Sequence, residues 1–261
     1  MNTSTRLIIN AILTAAVLLT SSCSKDEIIM SNCATMGFLN GETQIKTDEG
    51  VIYNIVSGKT AEGIDPGTRV LITCDILNKT YGRDDEYDVK SSGIKVPVSG
   101  SPLALSSTDL KEWPDAITVT DAWLSGGYLN LYCVWIGRRG SSATHRTALI
   151  YDDLESDADT VAFILAHDGQ GEGFYEDSQN TSDLTTIYEA ATFPVRDYIP
   201  GGNVTLKLSF TWHKSDGQYI YPQTESQSIS YSVPASGLSP LTASAEPSTK
   251  ATISPLMTLL P

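Results

Sequence analysis

A segment rich in glycine and acidic residues, running from His167 to Asp177, has the residue types that could hold a hard metal ion. Carboxylate and amide oxygens are the ligands that Ca²⁺ takes in proteins, and glycine permits the sharp turns that direct them inward. Such oxygens occupy the first, third, fifth and ninth positions of a calcium-type loop: Asp168, Gln170, Glu172 and Glu176. The twelfth position is Gln179 where a bidentate glutamate is needed, and no helical pattern flanks the segment. We therefore predict an ordinary polar loop with no bound metal or other cofactor, and keep this ion-binding loop as the alternative.

Acidic residues are abundant in the chain, but no spacing selects a catalytic pair. Hydrolysis of a glycosidic bond needs two carboxyl groups roughly 5–10 Å apart across a cleft. The candidate acids are scattered: Asp121, Asp152, Asp153, Glu172 and Glu189. His145, His167 and His213 are too far apart for a helical metal motif, and a histidine at a strand end is more often a hydrogen-bonded surface residue. No Gly-x-Ser-x-Gly turn is present. We predict a protein that is not an enzyme, with carbohydrate hydrolysis as the alternative.

The cysteines beyond the amino-terminal segment are predicted to be structural, because two of them share a strand face with apolar residues. Alternation places Cys74 on one strand face with Val70, Ile72 and Ile76, and Cys133 on one face with Leu129 and Leu131. Paired Cys-x-x-Cys spacings, which a zinc site would use, are absent. With Cys33 the count is odd, so at least one thiol stays free even where disulfides persist.

Aromatic residues late in the chain could contact a ligand. Trp212, Tyr219 and Tyr221 flank a polar turn, and the two tyrosines are spaced to share one strand face. Exposed rings of this kind pack on sugars and on partner proteins. Trp123 and Trp135 lie within strand patterns, where tryptophan in a sandwich is usually part of the core. We predict the first three as candidate ligand-binding residues and the other two as packing residues.

The amino terminus has the pattern of a cleaved export signal. One cation, Arg6, precedes a mostly apolar run from Leu7 to Leu19, and small residues lead to Cys23. A membrane span needs about 20 apolar residues, whereas a core of about 7–15 followed by small residues is removed by a signal peptidase. We therefore expect residues 1–22 to be a signal peptide and residues 23–33 to be a tether.

This segment resembles a bacterial lipoprotein leader, in which the thiol at the mature amino end is acylated. The resemblance implies that Cys23 is the lipidation site. The following Ser24-Lys25-Asp26-Glu27 resembles the short lysine-and-acid signal of surface lipoproteins in Bacteroidetes. Together these likenesses imply a protein that is lipid-anchored in the outer membrane and exposed at the cell surface.

Composition limits the classes of partner. Hydrophobic residues make up 41% and charged residues 18%, which is typical of a folded globular chain. Because the signal peptide carries only Arg6, the mature chain has 16 cations against 31 anions, a net charge of −15. Such a surface repels phosphate backbones and anionic lipid headgroups. We expect no nucleic-acid binding, membrane attachment through the lipid anchor alone, and an unknown protein or glycan as the partner.

Short strands separated by turn residues dominate residues 34–98. The strand patterns run from Ala34 to Leu39, Thr43 to Thr47, Val51 to Val56, Arg69 to Leu77 and Tyr87 to Val98. Asn40-Gly41 suits a tight hairpin turn. Five strands in a stretch of this length predict a small barrel of the OB type.

A second strand series follows a Ser- and Pro-containing stretch. Residues 99–113 lack alternation and are predicted to be a linker. Residues 114–234 contain about seven strand patterns, the number expected of an immunoglobulin-like β-sandwich. Residues 235–261 are rich in Ser, Thr and Pro and are predicted to be a tail. The predicted fold class is all-β, with a small OB-type barrel followed by an immunoglobulin-like β-sandwich.

Several of these strands resemble one known family. The carriers of the resemblance are Ile117 to Trp123, Tyr128 to Leu131, His145 to Leu149 and Val161 to Asp168. They are similar to NigD-like proteins, a Bacteroidetes family that joins an OB domain to a β-sandwich behind a lipoprotein leader. The resemblance implies that architecture and a non-catalytic envelope protein, and the family's name adds a role in bacteriocin production or resistance as a further alternative. It assigns no functional residue.

Overall fold

A computed structural model describes residues 28–80, 83–172, 183–199, 204–215 and 220–233, with the backbone alone for 212–215 and 220–233. In this part of the chain nearly all regular structure is β, and the only helices are three single 3₁₀ turns: Leu105–Ser107, Leu110–Glu112 and Arg196–Tyr198. None of the described helices is long or apolar enough to cross a membrane. The all-β class is confirmed.

The chain forms two compact units, and the first is built on a closed five-stranded barrel. Its strands are β1 (Met30–Gly41), β2 (Gln44–Thr47), β3 (Ile52–Gly58), β4 (Arg69–Lys79) and β5 (Glu86–Lys95). They follow the order β1-β2-β3-β5-β4 around the barrel, with β3 and β5 parallel and β1-β2-β3 antiparallel. This is the arrangement of an OB barrel, as the strand count predicted.

Alternation along the barrel strands builds its interior. Buried side chains include Leu39 of β1, Ile45 of β2, Ile72 and Cys74 of β4, and Val89 of β5. Every second residue of a strand faces the same side, so a short strand contributes only two or three side chains to this core. Closure of the sheet leaves no edge strand exposed to pair with another chain.

The second unit consists of two sheets. Its strands are β6 (Val98–Ser99), β7 (Leu103–Ala104), β8 (Thr118–Ser125), β9 (Tyr128–Arg138), β10 (Arg146–Asp152), β11 (Thr160–Asp168), β12 (Leu184–Pro194), β13 (Val204–Ser215) and β14 (Ile220–Val233). One sheet has the order β14-β13-β11-β10-β7 and the other β6-β12-β9-β8. The core of this unit contains Leu129, Leu149, Phe163, Phe193 and Phe210, each at most 2% exposed.

Three strand pairs in this sandwich are parallel. β11 pairs with β13, β7 with β10 and β6 with β12 in this direction. An immunoglobulin-type sandwich is built from antiparallel sheets. The sandwich architecture was therefore predictable from the strand count, whereas these pairings were not.

The stretch 99–113, predicted as a linker, has regular structure in the described chain. It contains β7 and two of the 3₁₀ turns, and β6 ends at its first residue, Ser99. Two-residue strands are too short to show alternation, which is why the sequence pattern missed them.

The two tryptophans predicted to pack in the core differ in their positions. Trp135 is 5% exposed and belongs to the core. Trp123 is only half-buried and lies 5.2 Å, ring centre to ring centre, from Tyr132. A register irregularity between Val119 and Asp121 shifts the face that later residues of β8 present. Ala122 thereby becomes the core residue, and the assignment of Trp123 to the core was wrong.

Candidate functional site

A buried cluster of titratable side chains lies where β10 begins and β11 ends. The antiparallel register of these strands places Thr147 opposite His167, and His145 directly precedes β10. Beyond β11 the chain turns back, with Gln170 at φ 55° and the N–H of Glu172 donating to the carbonyl of Gly169 at 3.0 Å. This turn brings the Glu172 carboxylate to the two histidines.

The cluster forms a continuous hydrogen-bonded chain. Glu172 Oε2 lies 3.2 Å from His145 Nε2, and His145 Nδ1 lies 3.1 Å from His167 Nε2. His167 Nδ1 in turn lies 3.2 Å from the carbonyl oxygen of Ala116. His167 is 1% exposed, and the side chains of His145 and Glu172 are 10% and 12% exposed. We call these residues, with Ala116, the Glu172–His145–His167 chain.

The two imidazole rings face each other edge to edge. Their centres are 5.2 Å apart and their planes differ by 23°. That separation is close to the N···N distance plus the two ring radii, so the facing nitrogens point along the line that joins them. The geometry is that of an in-plane N–H···N hydrogen bond rather than of face-to-face packing.

The number of protons in this chain follows from its ends. Glu172 Oε2 and Ala116 O are both acceptors, so the three contacts need three protons, and two neutral imidazoles supply two. A third proton, on a second nitrogen of one ring or on the carboxyl of Glu172, completes the chain. The three contacts are therefore all hydrogen bonds only when the cluster holds three protons.

Trp135 covers the rings of both histidines. Its ring centre lies 5.7 Å from that of His145 and 5.0 Å from that of His167. The indole N–H is buried and has no hydrogen-bond partner within the described residues. The aromatic cover limits the access of water to the chain.

A charged pair lies beside this cluster. The Arg146 guanidinium donates to Asp168 Oδ2, at 2.9 Å from Nε, and lies 4.9 Å from the ring centre of Trp113. Burial alone would raise the pKa of Asp168, but hydrogen bonds from Arg146 and Gln170 outweigh it and hold that pKa below its ordinary value. Asp168 is therefore an anion bound to internal donors.

The candidate calcium loop is only partly described. Asp168 is bonded to Arg146 and Gln170, while Glu172 is bonded to His145, so their oxygens have different partners. No group of three or more His, Cys, Asp or Glu side chains that could hold a metal ion occurs among the described residues. Glu176 lies outside them.

An aromatic strip runs across the outer face of the four-stranded sheet. Tyr188 on β12 is 59% exposed, and Tyr132 on the neighbouring β9 faces Ala190, two residues along β12 from Tyr188. Trp123 on β8 packs against Tyr132. Burial raises the pKa of the Tyr132 hydroxyl, so that hydroxyl stays neutral and can donate a hydrogen bond. We call Trp123, Tyr132 and Tyr188 the aromatic strip.

The other predicted site residues lie wholly or partly outside the described residues. Trp212 and Tyr221 are placed by their backbones on β13 and β14, opposite Glu225 and Lys214 respectively. Their side chains, all of Tyr219 and the predicted lipidation site Cys23 are outside the described part of the chain. Their assignment stays a prediction.

Sequence patterns predicted neither the histidine cluster nor the aromatic strip. His145 and His167 were expected at the surface, and instead converge in the interior. The signal that could have found them is the alternation of β11, which places His167 on one face with the core residues Phe163 and Leu165. For Tyr188, the signal is its position one residue after Ile187, which packs against the core.

The described part of the chain is an all-β protein with an OB-type barrel and a β-sandwich. Residues 103–221 match the family model described as NigD-like C-terminal beta sandwich domain. This match confirms the resemblance to NigD-like proteins over residues 103–221. No curated protein sequence matches the chain.

Solved structures share the fold at low identity. A protein of unknown function from Bacteroides vulgatus is 14% identical, with a TM-score of 0.55 over 81% of this chain and 97% of its own. A NigD-like immunity protein from Bacteroides caccae is 17% identical, with a TM-score of 0.54 over 77% of this chain and 98% of its own. A candidate lipoprotein from Bacteroides fragilis is 10% identical, with a TM-score of 0.52 over 77% of this chain and 97% of its own. At these identities the likeness establishes the fold alone.

Proposed function

We propose that this protein is a lipid-anchored envelope protein that binds a protein or glycan partner through its β-sandwich and catalyses no reaction. The observation that carries the proposal is the aromatic strip, with Tyr188 59% exposed on a strand of a sheet whose other face is core. Aromatic rings offer a large contact area for little loss of conformational freedom, and they are enriched where proteins bind.

The proposed location rests on the amino terminus. The run that ends at Cys23 supports acylation of this residue, and Ser24–Glu27 supports transfer to the outer face of the outer membrane. The Bacteroides fragilis structure with this fold is itself a candidate lipoprotein, which is consistent with the same location. A net charge of −14 argues against nucleic acid as the partner.

Internal pairing of the best-placed acids favours binding over hydrolysis. Asp168 is bonded to Arg146 and Glu172 to His145, so neither is free to act as a nucleophile without breaking those bonds. A hydrolase would need two carboxyl groups that face each other across a cleft.

The test is a binding comparison between two single variants. Tyr188→Ser removes the most exposed ring of the strip, while Leu154→Ser removes an apolar side chain that is 83% exposed on the β10–β11 turn. Intact cells that display each variant are cross-linked, and purified proteins are applied to an array of envelope and host glycans. Capture of one partner, lost in Tyr188→Ser and kept in Leu154→Ser, supports the proposal. Equal capture by both variants would show that the aromatic strip is not the binding surface. Release of reducing sugar from an array glycan would overturn the proposal that the protein is not an enzyme.

A second candidate function is resistance to a bacteriocin. It is favoured by the shared fold with the NigD-like immunity protein from Bacteroides caccae. Deletion of the gene should then make the strain that normally carries it sensitive to a bacteriocin secreted by neighbouring strains. Reintroduction of the wild-type gene should restore growth. Unchanged growth across a panel of such bacteriocins removes this candidate.

A further inference from the structure

We propose that Cys33 and Cys74 form a disulfide that cross-links β1 to β4 when the protein reaches an oxidising compartment. The inference rests on the proposed export of the protein. It concerns the barrel, and it is independent of the aromatic strip.

The register of the two strands brings these residues opposite each other. β1 and β4 are neighbours in the closed barrel, and the N–H of Leu39 donates to the carbonyl of Thr68 at 3.0 Å. In an antiparallel pair, each step back along one strand matches a step forward along the other. Six steps from this bond lead from Leu39 to Cys33 and from Thr68 to Cys74.

A contact at the other end places the neighbours of the two cysteines together. The N–H of Asn32 donates to the side-chain Oδ1 of Asp75 at 2.9 Å, so the residues next to Cys33 and Cys74 touch. Asn32 has a positive φ of 54°, which marks a local irregularity on the side away from Cys33 and Leu39. The N–H of Ile29 donates to the carbonyl of Ile76 at 2.8 Å, in a register two residues away from that of Leu39 and Thr68, and the Asn32–Asp75 contact places this shift on the Ile29 side of Cys33.

Both side chains face the barrel interior. Cys74 is 1% exposed, on the face of Ile72 and Ile76, and Cys33 is half-buried on the face of Leu39. Opposite residues of an antiparallel pair have Cα atoms about 4.5–5.5 Å apart, which lies within the roughly 4.4–6.8 Å that a disulfide spans. Both thiols are free in this structure.

The ionisation of the thiols fits a close pair. Burial raises the pKa of Cys74 to about 12, with a further contribution from the nearby Cys33, and burial also raises the pKa of Cys33. Because the thiolate is the nucleophile in disulfide exchange, the folded pair reacts slowly. Oxidation therefore takes place during export, before the barrel closes.

The reaction balances with a disulfide oxidant. The thiolate of one cysteine attacks a disulfide of a thiol oxidoreductase, or of oxidised glutathione, and forms a mixed disulfide. The second thiolate displaces the oxidant, whose two sulfurs leave as thiols while Cys33 and Cys74 lose two electrons and two protons. Cys133 lies in the other unit, is 1% exposed, and keeps its thiol.

The experiment uses the full-length tagged protein isolated from its own cells, with thiols trapped by N-ethylmaleimide at lysis. One portion is digested directly for mass spectrometry. Another is reduced in urea, refolded in a glutathione redox buffer, trapped and digested. The expected product in both portions is a Cys33–Cys74 linked peptide, with Cys133 alkylated only after unfolding. Recovery of Cys33 and Cys74 as separate alkylated peptides after refolding overturns the proposed pair.

Comparing the two portions distinguishes a failure of the Cys33–Cys74 pairing from a failure of the proposed export. Linked peptide after refolding but not in the cell-derived portion means that the pair is competent and that the proposed export is wrong. The melting temperature is a second readout. A disulfide that closes a loop of roughly 40 residues stabilises the folded protein against unfolding. Reductant should lower the melting temperature of the wild type and of Cys133→Ser by several °C, and should leave Cys33→Ser unchanged. A melting temperature of the wild type that does not respond to reductant contradicts the proposal.

Discussion

At the scale of single residues, the most informative group is the Glu172–His145–His167 chain. Two acceptor ends and two imidazoles leave it one proton short when both rings are neutral. This shortage makes the chemistry of residue 172 testable by substitution, because an amide at that position would supply the missing donor.

We expect Glu172→Gln to be tolerated and Glu172→Leu to be destabilising. The Gln amide N–H₂ can donate to His145 Nε2, which lets each ring donate onward without a third proton. Leu leaves a buried ring nitrogen without a partner, at a cost of about 1–3 kcal/mol in the free energy of unfolding. Urea unfolding at neutral pH measures both variants.

A matched control for these variants is Glu155→Gln. Glu155 pairs with Lys207 at 3.0 Å, but its side chain is 61% exposed, so its loss should cost little. If Glu172→Gln is as destabilising as Glu172→Leu, the proton count of the chain is wrong.

Acid should weaken the fold through Asp168. Its pKa in the folded protein lies below the ordinary value, so its ionised form contributes stability above the pKa of an unfolded aspartate, about 3.9. That contribution is lost as the pH falls through the folded pKa. The difference in unfolding free energy between wild type and Asp168→Asn should therefore be largest near neutral pH and should shrink below about pH 4.

Arg146→Gln provides the second arm of this test. It removes the guanidinium that bonds to Asp168, so it should reduce the same pH-dependent difference. If the difference in unfolding free energy between wild type and Asp168→Asn is constant from pH 7 to pH 3, the ion pair with Arg146 does not set the ionisation of Asp168.

At the scale of elements, the parallel pairing of β3 with β5 closes the barrel at a glycine. Gly58 has a φ of 90°, and a Cβ built on it would lie 1.9 Å from the carbonyl oxygen of Ser91. That same oxygen accepts the N–H of Lys59 at 3.1 Å. Backbone conformation and close approach both require glycine there.

We expect Gly58→Ala to lower the free energy of unfolding by about 2–4 kcal/mol, because the backbone must shift to remove the clash. Gly100→Ala is the control, since that glycine has an ordinary φ and nothing within 4 Å of its Cβ position. Chemical unfolding followed by tryptophan fluorescence and far-ultraviolet circular dichroism compares the two. Equal stabilities would mean that β3 and β5 do not approach each other as described.

Sequence patterns predicted most elements but not all of their partners. Alternation and turn residues predicted the barrel strands, and Asn40-Gly41 marked the first turn, where the register of β1 and β2 shifts. Parallel pairs such as β11 with β13 join residues far apart in sequence, and no local pattern records such a pairing. The irregularity that moves Trp123 out of the core likewise depends on the partner strand.

At the scale of the whole molecule, the sequence predicted the fold class better than the sites. Apolar alternation is repeated over many strands, so an error at one position changes little. A site such as the pair of His145 and His167 requires particular residues to meet through the register of two strands, which one sequence does not reveal. The proposed lipoprotein signal at the amino terminus is different again, because transport machinery would read it and folding would not depend on it.

The proposed function depends on acyl chains on Cys23 that hold the mature protein in the envelope. Mass spectrometry of the amino-terminal peptide, from protein extracted out of native envelopes, decides whether those chains are present. We expect a peptide that begins at Cys23 and carries the added mass of its acyl groups. A peptide that begins at Met1, or one with an unmodified Cys23 thiol, would show that the protein is not anchored in this way.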